Sequence, residues 1–75
     1  MRRIFVGKRY QHFKGKIYLI LAIATHSETN EKFVVYQALY RNREVYIRPY
    51  NMFVSKVDKL KYPNSKQIYR FELIK

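Results

Sequence analysis

The sequence predicts a single mainly-β domain over residues 1–75, a small, strongly bent antiparallel sheet of about five strands that is partly closed as a barrel. Two segments, 17–25 and 33–40, are rich in β-branched and aromatic residues and are bounded by polar turn formers. The segment 67–74 alternates apolar and charged side chains, which is typical of a half-solvated sheet. A strand over 17–25 spans about 30 Å, so the central strands of so small a domain must bend.

The elements follow from short local signals. The predicted strands are 9–13, 17–25, 33–40, 45–48 and 67–74. Lys14-Gly15-Lys16 closes the first hairpin, and residues 26–32 and 41–44 form the next two connections. Pro49 ends the fourth strand because it has no N–H to donate to a neighbouring strand. The spacing of Phe53, Val57 and Leu60 predicts one short helical turn over 50–54, and 56–66 carries only a turn signal at 63–65.

The composition excludes several classes of protein. Hydrophobic residues make up 48% and aromatic residues 17%, which is too apolar for a disordered chain. The sequence has no cysteine, so disulfides, thiolate zinc sites and cysteine catalysis are excluded. It also has no glycine-rich phosphate loop, and a domain of this size would lose much of its core if it enclosed a cofactor. We therefore expect no cofactor and no metal.

The charge is strongly positive, with 16 Lys and Arg against 5 Asp and Glu. Such a field attracts polyanions, although lysines that only keep an aromatic-rich chain in solution would give the same composition. The longest apolar run, 17–24, is shorter than a membrane-spanning helix, and Lys8 and Arg9 interrupt any signal-peptide segment. We expect a cytoplasmic protein that does not enter a membrane, either a monomer or a homodimer.

Meander topology brings the first and third turns to one end of the sheet, where it gathers a basic pole. The basic pole consists of Lys14, Lys16, Arg41, Arg43, Tyr40 and Tyr46. Cations that bind phosphates and rings that stack on bases predict a noncatalytic module that binds RNA or DNA. The alternative is that these side chains are ordinary solvated turn residues and tyrosines packed on the core.

The opposite end gathers a second candidate site. It consists of the histidine loop, which is His26, Ser27, Glu28 and Thr29, together with Arg48. This set predicts a module that binds a peptide or a small anion, with the anion held by the planar fork of Arg48. His26 and Glu28 also leave an acid–base enzyme open. In the structural alternative, the loop residues bond the local backbone and His26 caps the hairpin.

Five segments resemble one bacterial family, the domain-of-unknown-function 1653 (DUF1653) family. These segments are 10–15, 24–29, 34–40, 48–49 with 52–53, and 70–71, which read YQHFKG, ATHSET, VVYQALY, RP with MF, and RF. The resemblance implies a mostly-β fold similar to SH3-like small barrels and no established activity. The chain departs from the family pattern at Tyr46, where the family usually has tryptophan. It departs again in the turn 41–44, which is basic where the family tends to have glycine.

Overall fold

Five strands and one short helix make up the fold of this computed structural model, which describes residues 2–75. The elements are β1 (Arg9–His12), β2 (Ile17–Thr25), β3 (Lys32–Ala38), β4 (Val45–Pro49), α1 (Tyr50–Phe53) and β5 (Phe71–Leu73). The strands form one antiparallel sheet in the order β4-β3-β2-β1-β5. The mainly-β prediction, with about five antiparallel strands and a helical turn after Pro49, is confirmed.

The sheet is not closed into the expected barrel, because β4 and β5 are its two edges. The strand β5 is also much shorter than the predicted strand 67–74. Its preceding residues bond elsewhere: the Arg70 N–H donates to the Ser55 carbonyl at 3.0 Å, and the Val57 N–H donates to the Ile68 carbonyl at 2.8 Å. Because that backbone is already paired, the ladder with β1 covers only three residues of β5. The likeness to SH3-like barrels stays a prediction.

The bend of the central strands has a local cause. In the pairing of β2 with β3, the register shifts between Ile20 and Ala22, which is the signature of a β-bulge. A bulge adds one unpaired residue, here Leu21, and increases the local twist. The strand β2 therefore bends at Leu21, and this bend gives the sheet a concave face.

The core fills this concave face. It consists of Ile4, Tyr10, Ile20, Val34, Tyr36, Phe53 and Phe71. The rings of Phe53 and Phe71 stack with their centroids 4.0 Å apart and their planes 8° from parallel. The ring of Tyr36 meets both, at 5.2 Å from Phe53 and 5.6 Å from Phe71. Helix α1 and β5 therefore hold each other over the centre of the sheet.

The residues before β1 connect the end of α1 to the start of β5. The guanidinium of Arg2 donates to the carbonyls of Val54 and Phe71 at 3.2 and 2.8 Å, and it lies 3.9 Å from the centroid of the Tyr69 ring. The Tyr50 hydroxyl donates to the Arg2 carbonyl at 2.8 Å. Across residues 2–75, no helix has the length and apolarity needed to span a bilayer.

Replacing Phe53 by alanine is expected to destabilise the domain by about 3–5 kcal/mol, because it removes a fully buried ring and leaves a cavity against Phe71. That loss is comparable to the whole stability of a small domain. Circular dichroism during thermal and urea unfolding measures it. Met52→Ala is the matched control, since the neighbouring Met52 is 50% exposed and should change stability little. Equal losses for the two variants would contradict the proposed core.

Replacing Arg43 by glycine is expected to raise the free energy of unfolding by about 1 kcal/mol. Arg43 has a φ of 55°, a left-handed conformation that costs a residue with a Cβ about 1–2 kcal/mol. Part of this gain is offset by the greater freedom of glycine in the unfolded chain. Urea denaturation provides the measurement. Asn42→Gly serves as the control, since Asn42 is not among the positive-φ residues, and it should lower stability.

Candidate functional site

A highly charged concavity lies where β1, β4 and the segment before β5 meet. We call it the arginine cleft, a space of about 310 Å³. Its lining residues are His12, Phe13, Lys14, Arg48, Asp58, Lys61, Tyr62 and Arg70. The pairing of β1 with β5 places His12 opposite Phe71, which brings the neighbouring Arg70 to the cleft. Four cationic side chains thus converge on one small space.

Arg48 reaches the cleft because of strand alternation. In the register of β3 with β4, Arg48 lies opposite the buried Val34, so its side chain points to the concave face. Its Nε donates to the Tyr36 hydroxyl at 3.2 Å, and its guanidinium lies 5.5 Å from the centroid of the Phe71 ring. Two fixed contacts therefore orient the planar fork.

Arg70 is held through its backbone, while the Nε of its side chain lacks a hydrogen-bond partner within residues 2–75. Its N–H donates to Ser55, and its carbonyl accepts from the Phe13 N–H at 2.9 Å. Its Nε is buried and has no hydrogen-bond partner within residues 2–75. A buried donor without a partner lowers the stability of the fold by about 1–3 kcal/mol, and by more if it is charged. A ligand that accepts a hydrogen bond from this Nε would recover that free energy. Alternation over a strand 67–74 predicts Arg70 on the face away from Phe71. The strand begins only at Phe71, however, and Arg70, which precedes it, lines the cleft.

The cleft carries more positive than negative charge. Lys14 and Lys61 place their ammonium groups 5.2 and 5.6 Å from the Tyr62 ring centroid. Asp58 is the one carboxylate in the lining. Its Oδ1 already accepts the N–H groups of Leu60 and Lys61, at 3.0 and 3.4 Å. The four cations therefore outnumber the local acid, and the geometry suits an anion.

His12 lies at the wall of the cleft as a neutral imidazole. Burial, followed by the positive charges of Arg48, Lys14 and Arg70, lowers the pKa of His12 to about 4. Its Nδ1 accepts the Lys14 N–H at 3.1 Å, which leaves the ring hydrogen on Nε2. The ring packs on Phe13 and Phe71, with centroids 4.5 and 4.9 Å away. His12 therefore acts as a rigid, uncharged part of the wall at neutral pH.

The residues of the basic pole divide between two places. Lys14 belongs to the arginine cleft, whereas Lys16 lies 4.9 Å from the centroid of the Tyr40 ring. Tyr40, Arg41 and Tyr46 share a second hollow of about 280 Å³, together with Ala38, Asn42 and Glu44. Arg43 is not in the lining of either. Of the basic pole, Lys14 therefore lines a different hollow from Tyr40, Arg41 and Tyr46.

Tyrosines connect the second hollow to the core. The hydroxyls of Tyr18 and Tyr40 are 2.8 Å apart, and the ring of Tyr18 meets that of Tyr46 at 6.4 Å. Burial, followed by the hydrogen bond with Tyr40, raises the pKa of Tyr18 well above its ordinary value. Tyr18 therefore stays protonated and holds the exposed rings of this hollow in place.

The histidine loop forms a self-bonded turn and does not include Arg48. The Nδ1 of His26 accepts the N–H groups of Glu28 and Thr29 at 3.1 and 3.3 Å, and the Thr29 hydroxyl accepts the Glu31 N–H at 3.2 Å. Ser27 and Glu28 are exposed. Arg48, which the sequence groups with this loop, donates instead to the Tyr36 hydroxyl and lines the arginine cleft.

A larger hollow, of about 480 Å³, lies beside the histidine loop. It is lined by Ile23, Glu31, Lys32, Tyr50 and Asn51. One lysine there faces one glutamate, so the charge is balanced. Within residues 2–75, no three His, Cys, Asp or Glu residues lie close enough to hold a metal ion. Size alone therefore does not favour this hollow for an anion.

The arginine cleft was not predicted as a site, although a signal for it existed. Its residues His12, Arg48 and Arg70 come from three of the five segments that carry the family resemblance. These segments are 10–15, 48–49 and 70–71. Lys61 and Asp58 had no such signal, since they belong to the segment 56–66.

Comparison with known proteins agrees with the fold. The family model for DUF1653, described as a protein of unknown function, matches residues 8–73. The crystal structure of a DUF1653 protein from Bordetella bronchiseptica is similar, with a TM-score of 0.75 and 30% sequence identity. That similarity covers 93% of this chain and 87% of the other. No curated protein matches the chain.

The free energy of unfolding is expected to fall as the pH is lowered from about 6.5 to 4, partly because of His12. Its pKa is about 4 in the fold and about 6.5 in the unfolded chain, so the unfolded state takes up the proton first. Above about pH 6.5 both states are neutral at this residue, and its contribution is complete. Urea denaturation at several pH values, compared with His12→Asn, measures it.

The charged groups that face His12 across the cleft are Lys14, Arg48, Asp58, Lys61 and Arg70. Direct titration of the His12 ring protons by NMR separates this residue from the carboxylates, which also titrate near pH 4. A midpoint near 6.5 would contradict the charge environment described for the cleft.

Proposed function

The chain belongs to the DUF1653 family of proteins of unknown function, and from this premise we propose that it is a noncatalytic binding module. In this proposal, the arginine cleft binds a phosphate or carboxylate group of the ligand. The ligand anion lies between Arg48 and Arg70, and Lys14 and Lys61 add positive charge at the rim. A cytoplasmic location and the likeness to SH3-like barrels, both expected from the sequence, stay predictions.

The observation that carries this proposal is the buried Nε of Arg70, which has no partner within residues 2–75 while three further cations line the same space. Keeping a buried donor unpaired next to like charges destabilises a small domain. An anion relieves both costs, since it accepts a hydrogen bond and offsets the repulsion. The guanidinium fork suits the two-oxygen face of a phosphate or a carboxylate.

A binding role fits the chemistry of the two histidines better than catalysis does. A general base works best when its pKa lies near the working pH, whereas the pKa of His12 is about 4. The Nδ1 of His26 already accepts two backbone N–H groups, which makes this side chain a turn cap. We therefore place neither His12 nor the His26 and Glu28 pair in a catalytic role.

The histidine loop supports binding of a peptide or a small anion less well than the arginine cleft does. The Glu28 and Thr29 N–H groups, which would donate to an anion, already donate to the Nδ1 of His26. Arg48 donates to Tyr36 and lines the arginine cleft. The arginine cleft thus takes over the small-anion function that the sequence had suggested for that loop.

Replacing Arg70 by methionine is expected to weaken binding of inorganic phosphate at least tenfold and to raise the melting temperature in phosphate-free buffer. Methionine keeps an apolar stem and removes the unpartnered cation. A gain of about 1 kcal/mol corresponds to about 4–8 °C for a domain of this size. The measurements are NMR titration of backbone amides with inorganic phosphate and thermal unfolding.

Arg9→Met is the matched control, because Arg9 is exposed on β1 next to the buried Tyr10 and so lies on the opposite face. It makes the same charge change and should leave phosphate binding unchanged. Saturable shifts at the Phe13 and Arg70 amides would support the proposal. Equal phosphate binding by wild type and Arg70→Met would sink it.

A further inference from the structure

The arginine cleft adjoins one further hollow, and a second hollow lies near it along β4. On one side it shares Phe13, Lys14, Lys61 and Tyr62 with a hollow of about 340 Å³. On the other side, Arg48 is two residues from Tyr46 on β4, and Tyr46 lines the hollow of about 280 Å³. Because Tyr46 and Arg48 alternate with Ile47, the cleft and the hollow at Tyr46 open on the same face of β4.

Rings and cations lie together in these hollows. At one end, the Lys16 ammonium lies over the Tyr40 ring, 4.9 Å from its centroid, and Arg41 lines the same hollow as Tyr40 and Tyr46. In the middle are Arg48 and Arg70. We use the name cation–ring strip for the set of Lys16, Tyr40, Arg41, Tyr46, Arg48, Arg70 and Tyr62.

The far end of the strip repeats the same pairing. The ring of Tyr62 meets the ring of Phe13 at 4.9 Å, and the ammonium groups of Lys14 and Lys61 lie over it, 5.2 and 5.6 Å from its centroid. Asn64 and Ser65 line this hollow, as Asn42 lines the hollow at the other end. Each end thus offers a flat ring, a cation and an uncharged hydrogen-bonding group.

Strand geometry sets the spacing along β4. Tyr46 and Arg48 point to the same face, and residues two apart on a strand are about 6.6 Å apart. Tyr46 is 41% exposed, and its ring is supported from below by Tyr36 at 5.7 Å. One open, rigid ring and one oriented guanidinium therefore stand side by side.

We infer that the ligand of the cation–ring strip is a single-stranded nucleic acid. One of its phosphates enters the arginine cleft, and bases flanking that phosphate stack on Tyr46 at one end and near Tyr62 at the other. This inference rests on the proposed function and names the ligand class for the same site. A polymer that alternates a charged phosphate with a flat base matches a surface that alternates cations with rings.

The alternation favours a single strand over the other polyanions. The bases of a duplex are stacked on one another and leave no face for a tyrosine, so a duplex would use the cations alone. An acidic peptide would likewise use the cations and leave the exposed Tyr46 ring with no flat partner. The rings are therefore the part of the strip that discriminates among ligands.

The test is fluorescence anisotropy with a labelled single-stranded oligonucleotide of about 12 nucleotides, measured at several salt concentrations. If the strip contacts about four phosphates, the slope of log affinity against log salt is about −3. Tyr46→Ala is expected to weaken oligonucleotide binding about tenfold and to leave the binding of inorganic phosphate unchanged. Arg48→Gln should weaken both, whereas Arg9→Gln, the same charge change on the opposite face, should weaken neither by more than about twofold.

Lys16→Gln provides a second variant that keeps the test independent of folding, because the Lys16 side chain is exposed and its ammonium lies over the Tyr40 ring at the surface. It is expected to weaken oligonucleotide binding and to reduce the salt slope by about 0.7. Wild-type binding of the oligonucleotide with the same affinity as a phosphorylated peptide or a duplex of similar charge would overturn the inference.

The outcomes separate the two proposals. Phosphate binding without oligonucleotide binding would overturn the nucleic-acid inference and leave the anion-binding function intact. Oligonucleotide binding that Tyr46→Ala and Lys16→Gln leave unchanged would also overturn it. Binding of neither phosphate nor oligonucleotide would overturn both.

Discussion

The stack of Phe53 on Phe71 is the contact on which the rest of the structure depends. It joins a helix of one turn to an edge strand of three residues, and neither element would persist alone. The stack holds β5 beside β1 over the concave face, and this fixes the backbone of Arg70 between Ser55 and Phe13. Without that anchor, Arg70 would not face Arg48 across the cleft. A purely apolar contact thus determines where the charges of the candidate site lie.

A small basic protein with a ring-filled core has few places for its cations. The concave face is occupied by Tyr10, Tyr36, Phe53 and Phe71, so cationic side chains on that face are displaced to its margins. There their stems and head groups pack against the edges and faces of rings, as Lys16 does at Tyr40 and Arg48 does at Phe71. The alternation of cations and rings is therefore a direct product of packing. In the inferred nucleic-acid complex, these rings would discriminate among ligands, since packed rings are rigid and cannot turn away.

The bounds of a strand were predicted best where its backbone groups bond only to the neighbouring strands of the sheet. The strand β2 was predicted with its observed bounds, because its β-branched and aromatic run ends at polar turns. The strand β5 was predicted too long, since alternation over 67–74 carries no information that Ile68 and Arg70 bond to Val57 and Ser55. Extending the alternation of β5 back to residue 67 also predicts the wrong face for Arg70. Arg48 was placed at the correct end of β4, but its grouping with the histidine loop ignored the alternation that directs it to Tyr36.

By itself, the sequence determined that the chain is mainly β, where its turns fall, and that its cations greatly outnumber its acids. These properties are local or compositional, since they depend on residue type and on spacing along a few neighbours. Only the tertiary structure decided that the sheet stays open and that His12, Arg48 and Arg70 share one cleft. The physical reason is that strand pairing and ring stacking join residues far apart in the chain, and the free energy of those contacts is absent from any single segment.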